Sequence, residues 1–250
     1  MSGRARPEQA SPGDSPGDTH VWVVDLATSA AALVTIDQTR RLLTEPERLR
    51  AERMVDTRIR ERWIAAHAAL HLALSSYIGH PVQFEPIGDT AKPRVVDWHG
   101  DFSLSHSGTL ALVALREHGQ VGIDVEMRRA ARLSAERRHL IEMAGAALLP
   151  DSPLPSGDPE MSFLTAWTRL EAISKMHAMG LGALLEALGI VAKGPGPEAV
   201  AERAKALIAD TAQPMSLCSI DVAHLDAVAS LAMSPPAGTP HLHDLDLSGA

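Results

Sequence analysis

The chain has 250 residues, 45% of them hydrophobic but only 3% aromatic, and a formal net charge of −8. That length allows one large domain or two small ones, with a core that must be built from Ala, Leu, Val and Ile. The acidic balance argues against nucleic acid as the main partner, and the single cysteine, Cys218, excludes an intramolecular disulfide and a cysteine-rich zinc site. Residues 1–18 are rich in Pro, Gly and Ser and lack the apolar centre of a signal peptide. No stretch reaches the ~18 apolar residues that span a bilayer, so the expectation is a cytoplasmic protein with no membrane partner. Both tails, 1–18 and 234–250, read as disordered.

Residues 20–26 (HVWVVDL) are β-branched and bounded by loop residues, which predicts a strand. Thr44-Glu45-Pro46-Glu47 predicts a helix start, with Thr44 as N-cap and Glu47 at the capping-box position. The run that follows carries Arg48, Arg50 and Arg53. A longer helix is predicted over 58–78, where Trp63, Ala66, Leu70 and Leu74 share one face and Gly79-His80-Pro81 ends it. Asp89 to Arg94 reads as a turn bearing two cations, Lys92 and Arg94. A short strand at 102–104 runs into Ser105-His106-Ser107-Gly108, read as a loop between strands, and a second strand covers 110–115. After a turn at 117–120 comes the strand Val121-Gly122-Ile123-Asp124-Val125-Glu126. Residues 128–149 read as a helix that is basic at first, 150–159 as a Pro-rich loop, and 161–179 as a helix. Segments 183–188 and 198–209 read as helical, and 217–222 and 227–233 as two closing strands. The order strand, helices, strand pair thus occurs twice, which hints at two related halves.

The strand at 121–126 carries the chemistry. Side chains alternate along a strand, so Asp124 and Glu126 point one way and Val121, Ile123 and Val125 the other. Two unit charges ~4 Å apart repel by about 4 kcal/mol at an effective dielectric near 20. Acids aligned in this way are solvated, paired or given a cation, and oxygen-only ligands suit Mg²⁺. On the helix at 161–179, Trp167, Glu171 and Lys175 lie four apart on one face. That spacing fits an exposed salt bridge, or a half-buried cleft with Trp167 as its wall. Ser105 to Gly108 could bind a phosphate or be an ordinary turn, and with no carboxylate nearby it makes a poor Ser/His hydrolase. Lys92, Arg94 and Arg62 are candidate anion binders or solvated cations. His67 and His71 are four apart but lack the Glu of a zinc-protease helix. His241 and His243 receive no role, and Cys218 reads as buried filler.

In this order, the segments resemble 4′-phosphopantetheinyl transferases of the surfactin-synthetase-activating type. Residues 44–62 resemble that family's P-E-[KR] opening and helical arginine, and Ala91-Lys92-Pro93 its G-K-P turn. FSLSHSG at 102–108, VGIDVE at 121–126 and WTRLEAISKMHAMGL at 167–181 resemble its F-[NS]-[LI]-S-H-S, G-[IV]-D-[IV]-E and W-[ST]-x-K-E-[SA]-x-x-K-x-x-G-x-G-L motifs. The resemblance covers about residues 20–233. It implies an α+β fold of two pseudo-symmetric α/β halves, 19–116 and 117–233, with the active site in the cleft between them. It implies a monomeric enzyme of the holo-carrier-protein synthase type. Such an enzyme moves the phosphopantetheine arm of coenzyme A to a serine of an acyl or peptidyl carrier protein of polyketide or nonribosomal peptide synthesis, releasing adenosine 3′,5′-bisphosphate. By the same resemblance, Asp124, Glu126 and Glu171 would hold Mg²⁺, and Glu171 would act as base, directly or through water. Lys175 would hold a phosphate oxygen, and Arg62, Lys92, Ser105 and His106 the 3′-phosphate and adenosine end. The carrier is acidic in that family, and the arginines at 48–53 or 128–138 could meet it.

The chain departs from the family pattern at several places. Leu170 stands where a lysine usually precedes the catalytic Glu, Ala178 replaces the first Gly of G-x-G-L, and His71 stands where the second helix often carries Arg. Segment 183–212 reads as helical where relatives run strands. These departures leave open a second reading, a relative of low or no activity that binds coenzyme A or a carrier protein.

Overall fold

A computed structural model describes residues 17–85, 92–191 and 194–247. Most of the N-terminal segment expected to be disordered, and residues 89–91 of the turn before Lys92, lie outside the described residues. The elements run β1 (His20–Asp25), α1 (Leu26–Arg40), α2 (Glu45–Glu52), α3 (Thr57–Ile78), β2 (Asp101–Ser107), β3 (Leu110–Arg116) and β4 (Val121–Met127). Then come α4 (Ala135–Leu148), α5 (Pro159–Met176), α6 (Leu181–Leu188), α7 (Pro197–Ala209), β5 (Ser216–Ile220), β6 (Ala227–Met233) and β7 (His241–Asp244). The fold is α+β, with one sheet in the order β2-β3-β1-β7 and a second in the order β4-β6-β5.

The two halves share a topology. In the first, β1 pairs antiparallel with β3, which pairs antiparallel with β2. In the second, β4 pairs antiparallel with β6, which pairs antiparallel with β5. The doubled order read from the sequence is therefore a real repeat of strand pairing. β3 shows how the halves join. Its alternate residues Ala111, Val113 and Leu115 pack with Trp22 and the α3 residues Trp63, Ala66 and Leu70. Leu110, Leu112 and Ala114 pack instead with Val121, Ile123 and Val125 of β4. All six are buried, as a period-2 strand sandwiched on both faces must be. Each fully buried side chain of the size of Val, Leu or Ile stabilises by about 1.5–3 kcal/mol, so this double seam fixes β4 against the first half. The third cluster forms where α5 packs on α4, α6 and β6.

Local signals account for several element ends. Thr44 and Glu47 form the capping box expected at the start of α2. Asp56 caps α3 by accepting from the Arg58 and Ile59 N–H groups, and Gly79 ends it at φ 88°.

Four expectations need correction. A helix, α1, occupies 26–40, where no element was expected, and Leu26 opens it instead of closing β1. The Ser105-His106-Ser107 stretch is strand, not loop: β2 runs through it in register with β3, from Ser105↔Leu112 to Ser107↔Leu110. Residues 128–134 are not helical, because α4 begins only at Ala135 behind its Ser134 cap. The segment 234–250 was expected to be disordered, yet His241–Asp244 adds a parallel strand to the edge of β1. The buried Arg116 guanidinium donates to the carbonyls of Ser234 and Pro236 and ties down the approach to that strand. Among the described residues no helix is long and apolar enough to cross a membrane.

Candidate active site

The site forms where β4 lies against α5, and Gly122 sets the distance. A Cβ built there would come within 2.0 Å of the Ala172 carbonyl oxygen and 2.4 Å of the Met176 nitrogen. Only glycine lets the two backbones approach this closely. The same approach brings Asp124 of β4 to Lys175 of α5, with Lys175 Nζ donating to Asp124 Oδ1 at 2.7 Å. Glu171, one turn earlier on α5, has Oε2 3.8 Å from the same ammonium. Burial first, and then the Asp124 charge, push the Glu171 carboxyl up to about 7. Asp124 is almost wholly buried. Its Oδ2 is buried and has no hydrogen-bond partner among the described residues.

A ladder of side chains holds β4 from its other side. Asp101, Ser103, Ser105 and Ser107 alternate along β2 and accept from the N–H groups of Val121, Ile123, Val125 and Met127 at 2.8–3.3 Å. A hydroxyl can accept and donate at once. Ser105 Oγ donates onward to Asp124 Oδ1 and Ser107 Oγ to Glu126 Oε2, each at 2.7 Å. The ladder satisfies the exposed edge of β4 and orients both carboxylates. Glu126 is also clasped by Arg129, Nη2 to Oε1 at 2.5 Å and Nε to Oε2 at 3.1 Å. As placed, no group of three or more His, Cys, Asp or Glu among the described residues converges to hold a metal ion.

A cavity of about 850 Å³ opens beside this seam, lined from both halves. Its polar wall carries Lys92, His106, Arg50 and Lys175, and its apolar wall includes Trp63, Phe84 and Phe102. Lys92 Nζ donates to Asp101 Oδ2 and to the Val121 carbonyl, both at 2.6 Å, and so ties the cavity wall to the head of the ladder. Burial lowers the Lys92 and His106 pKa values, and for His106 the neighbouring charges of Lys175 and Arg50 act in the same direction. His67 stacks on Trp63 at 3.6 Å between ring centroids, and Arg50 lies over the same indole at 5.7 Å. Behind this wall His71 Nε2 meets Glu47 Oε2 at 3.0 Å. Burial pushes the Glu47 carboxyl up, but the hydrogen bonds from His71 and Thr44 outweigh it and hold the group down at about 2.

Of the residues singled out in the sequence, Asp124, Glu171 and Lys175 meet directly, and Lys92 and His106 line the cavity beside them. Ser105 is buried, and its hydroxyl is committed to Asp124 and Val125. Glu126 faces Arg129 and Ser107. Arg62 is half-buried and does not line the cavity; Arg50 is the arginine that does. Leu170 is buried in the core around α5, and Arg169 is also fully buried, its guanidinium donating to the Gly145 and Ser152 carbonyls. Neither supplies the cation that the usual lysine would. The basic stretch at 128–138 is largely neutralised: Arg128 pairs with Asp158 and Asp226, Arg129 with Glu126, and Arg138 with Glu142 and Glu160. Sequence reasoning missed Asp101 and Ser103, took Ser107 as part of a possible phosphate-binding loop, and gave Arg50 and Arg129 only to the basic stretches that could meet a carrier. The polar positions at 101, 103, 105 and 107, alternating with Phe102, Leu104 and His106, were the signal for the ladder.

The buried Asp124 and the neighbouring Glu171 thus meet Lys175, which also lines a cavity bearing Lys92 and Arg50. No protein-family model matches the chain. Its curated relatives include 4′-phosphopantetheinyl transferases. HetI of Nostoc sp. (strain PCC 7120) is 29% identical over 68% of this chain and 72% of its own length. AcpT of Escherichia coli K12 is 33% identical over 47% of this chain and 58% of its own length, as is AcpT of Escherichia coli O157:H7.

Proposed function

We propose that the chain is a 4′-phosphopantetheinyl transferase that moves the phosphopantetheine arm of coenzyme A to a serine of an acyl or peptidyl carrier protein. Carriers of polyketide or nonribosomal peptide synthesis are the proposed acceptors, and adenosine 3′,5′-bisphosphate is the product released. The observation that carries this reading is the meeting of Asp124 and Glu171 with Lys175, the residue that also lines the 850 Å³ cavity. In the transfer, the serine Oγ forms a bond to the phosphorus that carries the pantetheine arm, and the bond from that phosphorus to the adenosine bisphosphate breaks. The leaving group takes the electron pair and the serine proton goes to Glu171. A carboxyl held near 7 by burial and the Asp124 charge is well matched to that task at neutral pH. Lys175 offsets negative charge on the diphosphate, and Lys92, His106 and Arg50 face the remaining phosphate and the base.

The residues present fit Mg²⁺. The donor set is oxygen-only, and Asp124 Oδ2 is a buried acceptor in want of a partner. Asp124, Glu171 and Glu126 would hold the ion, which when bound neutralises the diphosphate as charge develops. Incubation with coenzyme A, Mg²⁺ and a panel of apo-carriers, followed by mass spectrometry of the carrier, tests the reading. A carrier heavier by one phosphopantetheine is expected. No gain on any carrier, with coenzyme A shown to bind, leaves the second reading, a protein that holds coenzyme A without transfer.

Leu170 and Arg169 favour that second reading, since neither presents a cation to the site. Restoring the lysine does not discriminate. Leu170→Lys places an ammonium in an apolar core with no acid partner, at an expected cost of about 3–5 kcal/mol, measurable by chemical denaturation.

A further inference from the structure

Glu126 is an acid with two rivals for its oxygens. Ser107 holds Oε2 from the ladder side, and Arg129 closes on both oxygens from the solvent side. The Arg129 side chain is 51% exposed and that of Glu126 13%, so the clasp is a lid over a largely buried carboxylate. Arg129 also feels the charges of Glu171 and Asp124 behind Glu126. Lys175 occupies the matching place on Asp124. The acid cluster is therefore already covered by two cations of the chain's own, and one of them, Arg129, is half-exposed and forms an ion pair with no other acid among the described residues. Asp124 Oδ2 stays open beneath them.

We propose that Arg129 is a displaceable counter-cation, a positioning residue that holds Glu126 until a divalent cation evicts it. The inference rests on the metal-binding reading of the acid cluster given above. Exchange is open to a divalent ion because the arginine end of the pair is half-exposed and salt-screened, and the ion gains two or three carboxylates at once in place of one. The clasp also explains how two aligned carboxylates and a third acid coexist in a cation-free state without flying apart. Removing the guanidinium removes both the competitor for Glu126 oxygens and a like charge facing the incoming ion, so both effects act in the same direction.

The test is Mn²⁺ binding to the full chain, followed by electron paramagnetic resonance with Mg²⁺ competition, without coenzyme A or carrier. Arg129→Met is expected to bind Mn²⁺ about three- to tenfold more tightly than the unaltered chain. Arg129→Lys, which keeps the charge and loses the two-pronged clasp, is expected to fall between them. Asp124→Ala is expected to bind weakly or not at all, and circular dichroism checks that each variant is folded. If the unaltered chain binds and Asp124→Ala does not, but Arg129→Met lies within twofold of the unaltered chain or binds more weakly, the clamp is overturned while the metal site stands. If neither the unaltered chain nor Arg129→Met binds, the metal site falls and the clamp with it.

Discussion

β1 and β4 stand at the same place in their halves, yet their open edges are closed by different means. β1 receives the backbone of β7 in a parallel ladder running from His20↔His241 to Val23↔Asp244. Imidazoles fill the seam: His20 Nδ1 lies 2.8 Å from His243 Nε2, and His243 stacks on Trp22 at 4.8 Å. Among the described residues β4 receives no strand on that side. Its N–H groups go to Asp101, Ser103, Ser105 and Ser107. Backbone closure consumes donor and acceptor alike. Closure by hydroxyls leaves each serine a proton to spend, and Ser105 and Ser107 spend it on Asp124 and Glu126. One topology thus yields a structural edge in the first half and a site-building edge in the second.

The comparison breaks most severely at Gly122. On β1 the residues facing the helical layer, Trp22 and Val24, carry side chains packed with α3, whereas any side chain at Gly122 meets the α5 backbone. Gly122→Ala is expected to cost about 3 kcal/mol, because backbone and not a flexible side chain must move. Thermal melting should show it as a loss of about 6–12 °C, with coenzyme A transfer lost even below that temperature as Asp124 and Lys175 separate. A melt unchanged within 2 °C (well inside that expected loss) would show that β4 and α5 can part freely. Ser105→Ala is the next step down. It leaves the Val125 N–H without its acceptor and Asp124 Oδ1 with Lys175 alone, at an expected 1–3 kcal/mol. Because it loosens an acid, transfer should fall about tenfold or more. An equal loss of stability with unaltered transfer would assign the ladder to structure only.

Much of this was legible beforehand, and the exceptions share a cause. The capping box at Thr44 and the stop at Gly79 are local codes, and the α5 spacing of Glu171 and Lys175 depends only on helical period. Each was readable because its partner lies within a few residues. Ser105 and Ser107 were read as loop because hydroxyls and glycine punctuate loops; the register with β3 makes them strand, and the β4 edge across the molecule takes their hydroxyls as acceptors. α1 was missed because it carries Thr28, Thr35, Val34 and Ile36 and buries only Leu26, Leu33 and Asp37. Its helix rests on the Asp25 cap and on packing against α3, not on an apolar stripe. β7, the tetrapeptide HLHD, carries no strand signal at all, and its partner lies some 220 residues earlier in the chain.

The imidazole seam makes one edge sensitive to acid and leaves the other indifferent. Burial first, then His243 and His241, push the His20 pKa down to about 4 from 6.5. The unfolded chain therefore binds more protons in that window, so stability is full above pH 6.5 and is lost as pH falls toward 4. Urea midpoints should drop between pH 7 and 5, and His20→Phe should flatten the slope. It will not abolish the slope, because burial also lowers His67 to about 4, with the same sign. The serine ladder contains no imidazole and should not contribute. A slope unchanged by His20→Phe would remove the seam as its source.

The smallest effect expected is at the C-terminus of α5, on the wall of the cavity. Ala178 sits at φ 52°, the left-handed region in which a Cβ is strained, and it occupies the position where the resembled motif has glycine. The turn itself is well made, since the Ala178 and Met179 N–H groups reach the Lys175 and Ser174 carbonyls at 3.2 and 3.0 Å. Strain is thus held by neighbours that close the helix correctly. Ala178→Gly relieves it but loosens the unfolded chain, so the net gain is expected to be about 0.5–1 kcal/mol, or about 1–4 °C in melting temperature. Ala178→Val, with a branched side chain at the same φ, should move the melt the other way by a larger amount. If Gly lowers the melting temperature and Val leaves it unchanged, residue 178 does not adopt the left-handed turn, and the end of α5 that places Lys175 is built differently.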